Sequence, residues 1–234
     1  DLVELLDHAH DQTFDDGRLR LKIGKQDANA DFVVSEGGGE FVNSSFGLIP
    51  TVPLPTFPAP ALGVMAGWSP SEVVHVKVGY WDGSGTEGSG ISTSILTGSG
   101  GAIGAAGLEI TPFGGTIIDG TYRVGVWRHS ELELASPANG PNDELLTGPA
   151  EGVYFTIDQG LWEGAHRRVS VFAQGGWGEA DRSAVGTYFG GGLTLHGPFR
   201  SRPDDVFGIG VAHAEIGELE RGDGIGGSET VVEA

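Results

Sequence analysis

The chain lacks cysteine, has few cationic residues and contains no long apolar run. Without cysteine it has neither a disulfide scaffold nor a thiolate metal site, although this fixes no compartment. Its 13 lysines and arginines stand against 32 aspartates and glutamates, and the formal charge of −19 makes it a poor nucleic-acid binder. No run of about 18 apolar residues occurs, so the sequence offers no candidate transmembrane helix.

Glycine, by contrast, is abundant, with 42 residues in a chain of 234. No collagen-like period or low-complexity tract explains this number. Glycine spread through alternating segments suits the strands and turns of a β-barrel. A mean hydropathy near zero is compatible with a membrane barrel, because apolar and polar residues alternate along its strands and average out.

Alternation of apolar and polar residues predicts an all-β fold. In 73–81, for example, Val74, Val76 and Val78 share one face while His75 and Lys77 share the other. Strands are predicted at 19–24, 61–68, 73–81, 107–111, 120–128, 152–159, 167–175, 186–196, 206–215 and 229–234. Residues 1–16 are compatible with a short helix or with the tail of a strand. Alternation alone does not separate a soluble sandwich, with its apolar face inward, from a porin, with its apolar face toward lipid.

All five tryptophans lie at or near the end of a predicted strand. They are Trp68, Trp81, Trp127, Trp162 and Trp177. An outer-membrane barrel carries girdles of aromatic residues where its strands meet the lipid–water interfaces. The placement predicts such a girdle, and the alternative is that the tryptophans close the ends of a soluble core.

A proline-rich stretch and two glycine-rich loops interrupt the strands. Prolines at 50, 53, 55, 58 and 60 exclude both a helix and a central strand, so this stretch is predicted to lie extended against other strands or along a pore wall. The loops at 82–107 and 129–151 are long enough to lie on the surface or to fold inward.

Cationic residues, scarce in the chain as a whole, fall on the polar faces of predicted strands. They are Arg20, Lys22, Lys77 and Arg123, and Asp158 lies on the polar face of a further strand. Directly after the first strand come Lys25, Asp27, Asn29 and Asp31. A planar guanidinium suits sugar hydroxyls and can form a constriction with nearby carboxylates. On their pattern alone, these nine residues suit either the narrow point of a pore or ordinary solvated positions in a wide lumen.

Two further motifs do not point to a cofactor or a metal. The G-x-G-x-x-G match at 83–88 has Glu109 at a dinucleotide-binding spacing, but the residues after it cannot form the required helix. His8, His10 and Asp11 contain an H-x-H pair without an assignable third ligand. No cofactor and no metal site are therefore predicted.

Calcium binding and catalysis receive little support. The segments 82–90 and 221–229 are rich in glycine and oxygen ligands, which suits weak calcium binding, but neither has the spacing of a helix–loop–helix calcium site. No nucleophile–base pattern is present. The adjacent pair Asp204 and Asp205 would point to opposite faces of a strand, so no enzymatic activity is expected.

Long, ungapped motifs carry a resemblance to one protein family. They are LRLKIGKQDANADF at 19–32, FVNSSFG at 41–47, PTVPLPTFPAPALGV at 50–64, GYWDG at 79–83, TYRVGVWRHS at 121–130, GTYFGGGL at 186–193 and DDVFGIGVAHA at 204–214. In these segments the chain resembles the carbohydrate-selective porins of bacterial outer membranes, the OprB-like family. The resemblance covers nearly all of the chain from Gly17 onward.

The resemblance implies an antiparallel transmembrane β-barrel of the porin type. The family barrel has about sixteen strands, of which this chain would supply about ten. Residues 1–234 would form one barrel segment, with 1–18 as a poorly defined lead-in and 19–234 matching the family. Because the sequence starts at Asp1 and stops within the predicted strand 229–234, we expect it to be truncated at both ends, with further strands before and after.

The function implied by the resemblance is passive diffusion of small sugars such as glucose across the bacterial outer membrane, without a covalent step. Pore width and the hydrogen-bonding residues at the constriction would set selectivity. The resemblance also implies that the nine charged and polar residues named above line the pore, with Arg20 and Lys22, which lie within its motif, as the best supported. The expected partners are small sugars and outer-membrane lipid, and the resemblance is compatible with a monomer or a homotrimer.

Two alternatives are compatible with parts of the sequence. A secreted acidic β-sandwich or jelly roll, such as a calcium-dependent lectin, would explain the acidic loops and the glycine but neither the proline motif nor the strand-end tryptophans. A β-rich sugar hydrolase is less well supported, because no carboxylate pair is identifiable. Dependence on detergent separates the porin from the lectin, which stays soluble without it.

Overall fold

The computed structural model describes residues 8–57, 59–83, 101–112, 119–133, 147–180, 182–217 and 227–234. These residues form one sheet of eleven antiparallel strands, whose order across the sheet is their order along the chain. The predicted all-β antiparallel architecture is confirmed, with one strand more than the ten predicted. No helix among the described residues is both long and apolar enough to cross a lipid bilayer.

Ten of the eleven strands overlap the alternating segments of the sequence. The strands are β1 (His8–Phe14), β2 (Leu19–Gln26), β3 (Ala61–Trp68), β4 (Val74–Asp82), β5 (Ala102–Ile110), β6 (Gly120–Glu133), β7 (Thr147–Glu163), β8 (Arg168–Gly178), β9 (Val185–His196), β10 (Val206–Ile216) and β11 (Ser228–Glu233). Of these, β5, β6 and β7 extend well beyond their predicted bounds. The added strand is β1, so the strand-tail interpretation of this region is correct and the helix interpretation is wrong for residues 8–14. Within the described residues β1 and β11 do not pair, so the sheet is open.

Connections of two kinds alternate between the ends of the sheet. The end with mostly short turns, here called the short-connection end, carries residues 15–18, 69–73, 111–119, 164–167 and 197–205. The turn between β1 and β2 has positive φ angles at Asp15, Asp16 and Gly17, which are residue types that tolerate this backbone conformation. The opposite end carries the connections 27–60, 83–101, 134–146, 179–184 and 217–227.

The two faces of the sheet differ as the alternation predicts. Val124 and Val126 of β6 are 53% and 51% exposed on the outer face, while Trp127 beside them is 2% exposed on the inner face. The same contrast is found in β7, where Val153 is 48% exposed and Tyr154 is 2% exposed. An apolar outer face left open to the surroundings is typical of a barrel wall and is inverted relative to a soluble sandwich.

Residues 27–60, here called the inner segment, fold back over the inner face. The segment begins with helix α1 (Ala28–Phe32), continues through two short 3-10 turns and ends in the proline-rich stretch. Phe32 packs edge-on against Trp81 of β4, with ring centroids 5.5 Å apart, and the Val42 amide donates to the Glu233 carboxylate of β11 at 2.6 Å. Since one segment touches strands from β4 to β11 on the same face, the sheet must curl around it.

The inner segment and the sheet share one hydrophobic core. From the segment it contains Phe32, Val33, Phe46, Ile49, Val52 and Leu54, and from the sheet it contains Trp81, Ile103, Trp127, Tyr154, Phe172 and Tyr188. The proline-rich stretch is neither helix nor ladder strand, and its Val52 and Leu54 pack into the core with the sheet. It is not extended throughout, because the amides of Val52 and Ala59 donate to the carbonyls of Ile49 and Thr56 in two turns. The glycine-rich loops predicted at 82–107 and 129–151 fall partly outside the described residues, and their residues 102–107, 129–133 and 147–151 are strand, not loop. The inward fold that is described belongs to 27–60 instead.

The prediction that all five tryptophans form a girdle is wrong for two of them. Trp81 and Trp127 are 0% and 2% exposed and lie in the core under the inner segment. Trp68, Trp162 and Trp177 are 51–53% exposed on the outer face, with the first two at the short-connection end and Trp177 at the other end. The physical reason is strand parity, because Trp81 and Trp127 occupy inward positions, and a position near a strand end does not decide the face.

Glycines on the inner face make room for these large rings. A methyl group at Gly79 or Gly63 would overlap the ring of Trp81, and a methyl group at Gly125 would overlap the ring of Tyr154. The rings therefore lie flat over neighbouring backbone, which leaves space above them for the inner segment. This close approach accounts for part of the high glycine content.

Gly79→Ala should destabilise the fold by about 1–3 kcal/mol, because the added methyl group displaces the Trp81 ring from a filled core. Gly104→Ala is the matched control, since its methyl group would meet no atom closer than 3.7 Å. The measurement is equilibrium unfolding of both variants in denaturant. Equal midpoints for the two variants would contradict the packing described here.

Candidate site: a ladder of charges on the inner face

The cationic residues predicted from the sequence meet on the inner face, toward the short-connection end. Arg20 lies opposite Gly67 of β3, Gly67 lies opposite Lys77 of β4, and Lys77 lies opposite Gly107 of β5. The intervening glycines carry no side chains, so Arg20 and Lys77 extend over them without obstruction. Strand alternation thus puts the cations on one face, and the register puts them at one level.

Glu109 of β5 connects two of these cations. Its Oε2 accepts hydrogen bonds from Lys77 Nζ at 3.0 Å and from Arg123 Nε at 2.6 Å. Arg123 is directly opposite Glu109 in the register, and Lys77 is a diagonal neighbour. Both positions lie within reach of long side chains across an antiparallel sheet.

Asp31 brings a second carboxylate from the inner segment. Its Oδ1 accepts from Arg20 Nη1 at 2.7 Å and its Oδ2 accepts from Lys22 Nζ at 3.2 Å. The backbone carbonyl of the same residue accepts from Lys77 Nζ at 2.9 Å. Asp27 holds α1 in place for this contact, because its Oδ1 caps the helix by accepting from the Ala30 amide at 3.1 Å.

Two further carboxylates lie at the ends of the series. Asp11 of β1 accepts from Arg20 Nε at 3.0 and 3.1 Å through its two oxygens. Asp158 of β7 lies 3.9 Å from Arg123 Nη1 and accepts from Ser35 Oγ at 2.8 Å and from the Gly37 amide at 2.9 Å. The inner segment therefore contributes Asp31 to the series and contacts the series again through Ser35 and Gly37, which bind Asp158.

We name the eight residues the charge ladder. They are Asp11, Arg20, Lys22, Asp31, Lys77, Glu109, Arg123 and Asp158. Four are cationic and four are carboxylates, so the ladder carries no formal net charge within a strongly acidic chain. The side chains are between 12% and 38% exposed, so they are partly screened but still reach the open side of the inner face.

The structure brings six of the nine predicted site residues into the ladder and leaves three outside it. Lys25 is 7% exposed near the end of β2 and takes no part in the ion pairs of the described chain. Asp27 is half-buried and caps α1. Asn29 lies within α1 and is 3% exposed, with its backbone carbonyl accepting from the amides of Val33 and Val34. Asp27 and Asn29 shape the inner segment, and neither forms part of the ladder.

Two ladder residues are missing from the sequence-based set. The sequence drew attention to Asp11 only as a neighbour of a histidine pair, whereas in the structure its carboxylate binds Arg20. It drew attention to Glu109 only because of its spacing from a G-x-G-x-x-G match. The apolar neighbours Leu108 and Ile110, both on the outer face, are the pattern that would have indicated an inward Glu109.

The other sequence motifs contribute little to the site. Residues 84–90, which hold most of the G-x-G-x-x-G match, and residues 221–226 of the second calcium candidate lie outside the described residues. Among the residues that the structure describes, no group of three or more histidine, aspartate or glutamate side chains is arranged to hold a metal ion. Asp205 forms an ion pair with Arg202 at 2.8 Å in the turn before β10.

Comparison with known proteins gives two similarities. The sequence profile of the carbohydrate-selective porin, OprB family, matches residues 4–221. The fold is similar to that of Pseudomonas putida OprB at high pH, with a TM-score of 0.72 and 20% sequence identity over 92% of this chain and 55% of that one. The chain thus spans about 55% of the length of that structure. No curated protein matches the chain at a significant level.

Glu109→Gln should leave Lys77 and Arg123 without a shared anion and destabilise the fold by roughly 1–3 kcal/mol. This is less than the 3–5 kcal/mol expected for a fully buried pair, since the ladder is partly exposed. Glu151→Gln is the matched control, because its carboxylate pairs with Arg128 at a site where both side chains are more than 60% exposed. The check is denaturant unfolding, and a control that lost as much stability as Glu109→Gln would show that the ladder position has no special role.

Proposed function

The chain belongs to the carbohydrate-selective porin family, OprB, and from this membership we propose that it forms part of the wall of an outer-membrane channel for passive diffusion of small sugars. The observation that carries the proposal is the charge ladder on the inner face of a curved sheet whose outer face is apolar. Porins of this family reside in the bacterial outer membrane, and we propose the same location for this chain.

The outer face has the properties that lipid contact requires. Its exposed apolar residues include Val64, Val78, Leu108, Val124, Val153, Phe189, Leu193, Ile209 and Val211. On this face Trp68 and Trp162 lie at the short-connection end and Trp177 lies at the other end. This is the arrangement of an apolar band flanked by interfacial aromatic residues.

The inner face has the properties that a sugar path requires. The ladder presents alternating carboxylates and cations, which accept hydrogen bonds from sugar hydroxyls and donate hydrogen bonds to them. Because its charges balance, the ladder produces no net field that would favour ions of one sign over a neutral solute. We propose that small neutral sugars of the size of glucose exchange hydrogen bonds with water for hydrogen bonds with the ladder as they pass, with no bond made or broken.

Replacing Arg20 and Lys22 together by alanine tests this role. The double variant removes two donors from the ladder and leaves Asp31 without its side-chain cations. We expect the block of single-channel current by glucose to weaken about 3- to 10-fold, as expected for the loss of one or two solute hydrogen bonds. The measurement is made in planar bilayers on the full-length protein, with glucose titrated into both chambers.

The matched control is the double variant Arg128→Ala and Arg202→Ala, which removes the same charge from side chains that are 68% and 70% exposed. Glucose should block the current through this control variant as strongly as it blocks the current through the parent. Equal weakening in both double variants would exclude a specific role for the ladder. A parent protein that is soluble without detergent and forms no channels would refute the porin proposal and favour the lectin alternative.

Val124→Arg tests the lipid contact of the outer face. If Val124 faces the bilayer near its midplane, arginine should destabilise the folded protein by about 2–4 kcal/mol, whereas a water-exposed surface site tolerates it within about 0.5 kcal/mol. Val42→Arg is the control, because Val42 is 96% exposed on the inner segment. The readout is urea unfolding of the full-length protein in phosphatidylcholine vesicles, and no difference between the two variants would argue against a lipid-facing sheet.

A further inference from the structure

The inner face carries a second polar feature beside the ladder. It is a recess of about 550 Å³ near the short-connection end, bordered by strands β6 to β9 and by the inner segment. Its volume lies within the roughly 300–1,000 Å³ typical of small-molecule sites. Of the nine residues predicted from the sequence, only Asp158 borders it.

Each of four consecutive strands contributes at least one oxygen-bearing side chain to the recess. Among them are Thr121 of β6, Asp158 of β7, Ser170 of β8 and Thr194 of β9. In the register Thr121 lies opposite Asp158, and Ser170 lies opposite Thr194. All four occupy inward positions, so their oxygen atoms form two neighbouring cross-strand pairs on the same surface.

Two of these side chains have oxygen atoms that the described chain leaves unpartnered. Thr194 is 2% exposed, and its Oγ1 has no hydrogen-bond partner among the described residues. Asp158 Oδ2 likewise has none within the described ranges, and Arg123 Nη1, its ion-pair partner, lies beyond hydrogen-bond distance at 3.9 Å. Buried oxygen atoms are costly to leave without a hydrogen bond. The two atoms are covered in this conformation, but both residues belong to the lining of a space that a solute can enter.

The remaining border of the recess mixes both signs of charge. Glu36 and Glu40 come from the inner segment, and Asp119 comes from the connection before β6. Arg168 and His196 lie opposite each other in the register of β8 and β9 and bring basic groups to the same space. With Asp158 the border holds four carboxylates against one guanidinium and one imidazole, so it disfavours anions, while its donors and acceptors match the hydroxyls of a neutral polyhydroxylated solute.

We propose that the recess is a second sugar subsite, on the far side of Asp158 from Arg123, in which Thr194 and Asp158 hydrogen-bond a neutral monosaccharide. The inference rests on the proposed porin function. It adds to the charge ladder a second polar site, the recess, that a sugar would meet along the same path. Asp158 belongs to both the ladder and the recess, so a sugar at the end of the ladder is already next to the recess. A solute would move between adjoining sites of similar chemistry, and neither site would need to hold it tightly.

Thr194→Val removes the hydroxyl while keeping the size and branching of the side chain. We expect the apparent dissociation constant for glucose, measured from block of single-channel current, to rise about 3- to 10-fold, as expected for the loss of one hydrogen bond to the solute. Conductance in potassium chloride without sugar should not change. Thr121→Val, on the opposite side of the recess, should weaken glucose block in the same direction and provides a second variant.

Thr156→Val is the matched control. Thr156 is 0% exposed, and its Oγ1 also has no partner in the described part of the chain, but this residue does not border the recess. The Thr156→Val variant should bind glucose like the parent. An equal rise in the apparent dissociation constant for Thr156→Val and Thr194→Val would overturn the inference. If glucose blocks the parent and both recess variants equally, the recess holds only water and the inference fails while the porin function stands. A parent that forms channels indifferent to glucose, or none, would overturn both.

Discussion

The structure depends on the packing of the inner segment against a sheet whose inner face is rich in glycine. Aromatic rings from the sheet lie over neighbouring glycines, and Phe32, Phe46 and Ile49 of the segment cover these rings. This burial provides a hydrophobic core for a sheet that otherwise exposes its apolar side outward. It also sets the curvature, since one segment must reach from β4 to β11 on a single face.

The polar site depends on the same packing. Helix α1, capped by Asp27, carries Asp31 to Arg20 and Lys22, and the residues that follow bring Val34 and Ser35 to Arg123 and Asp158. Without the inner segment, Arg20 would keep Asp11 and Lys77 would keep Glu109, but Lys22 would lose its carboxylate. The segment that fills the core therefore also completes the charge ladder. A change in the position of the segment would alter both the stability of the fold and the polar surface of the inner face.

The distribution of side chains is inverted relative to a water-soluble β-sandwich. Large apolar residues such as Phe189 and Ile209 are more than half exposed, while Gln174 and Thr156 are almost fully buried. The side-chain amide nitrogen of Gln174 donates to the carbonyls of Ser45 and Phe46, both at 2.8 Å. Such an arrangement is stable where lipid covers the outside and the inside holds both a filled core and polar groups along a water-accessible path.

The sequence by itself determined ten of the eleven strands, the faces of most of their side chains and the family, because period-two alternation is a local property and the motifs are long. Which residues meet was decided only by the tertiary structure. Trp81 and Trp127 lie near strand ends and were predicted to be interfacial, but both side chains are on the inner face. Glu109 forms its ion pairs only because the register sets it opposite Arg123. Lys25 and Asn29 lie in the same motif as Asp31 yet outside the ladder, because Lys25 has the opposite parity to Arg20 and Lys22 in β2 and Asn29 is buried within α1. Thr194 and Asp158 are 36 residues apart and border one recess only because β7, β8 and β9 are adjacent in the sheet. Contacts between distant parts of a chain depend on how strands pair and curl, which no local pattern encodes.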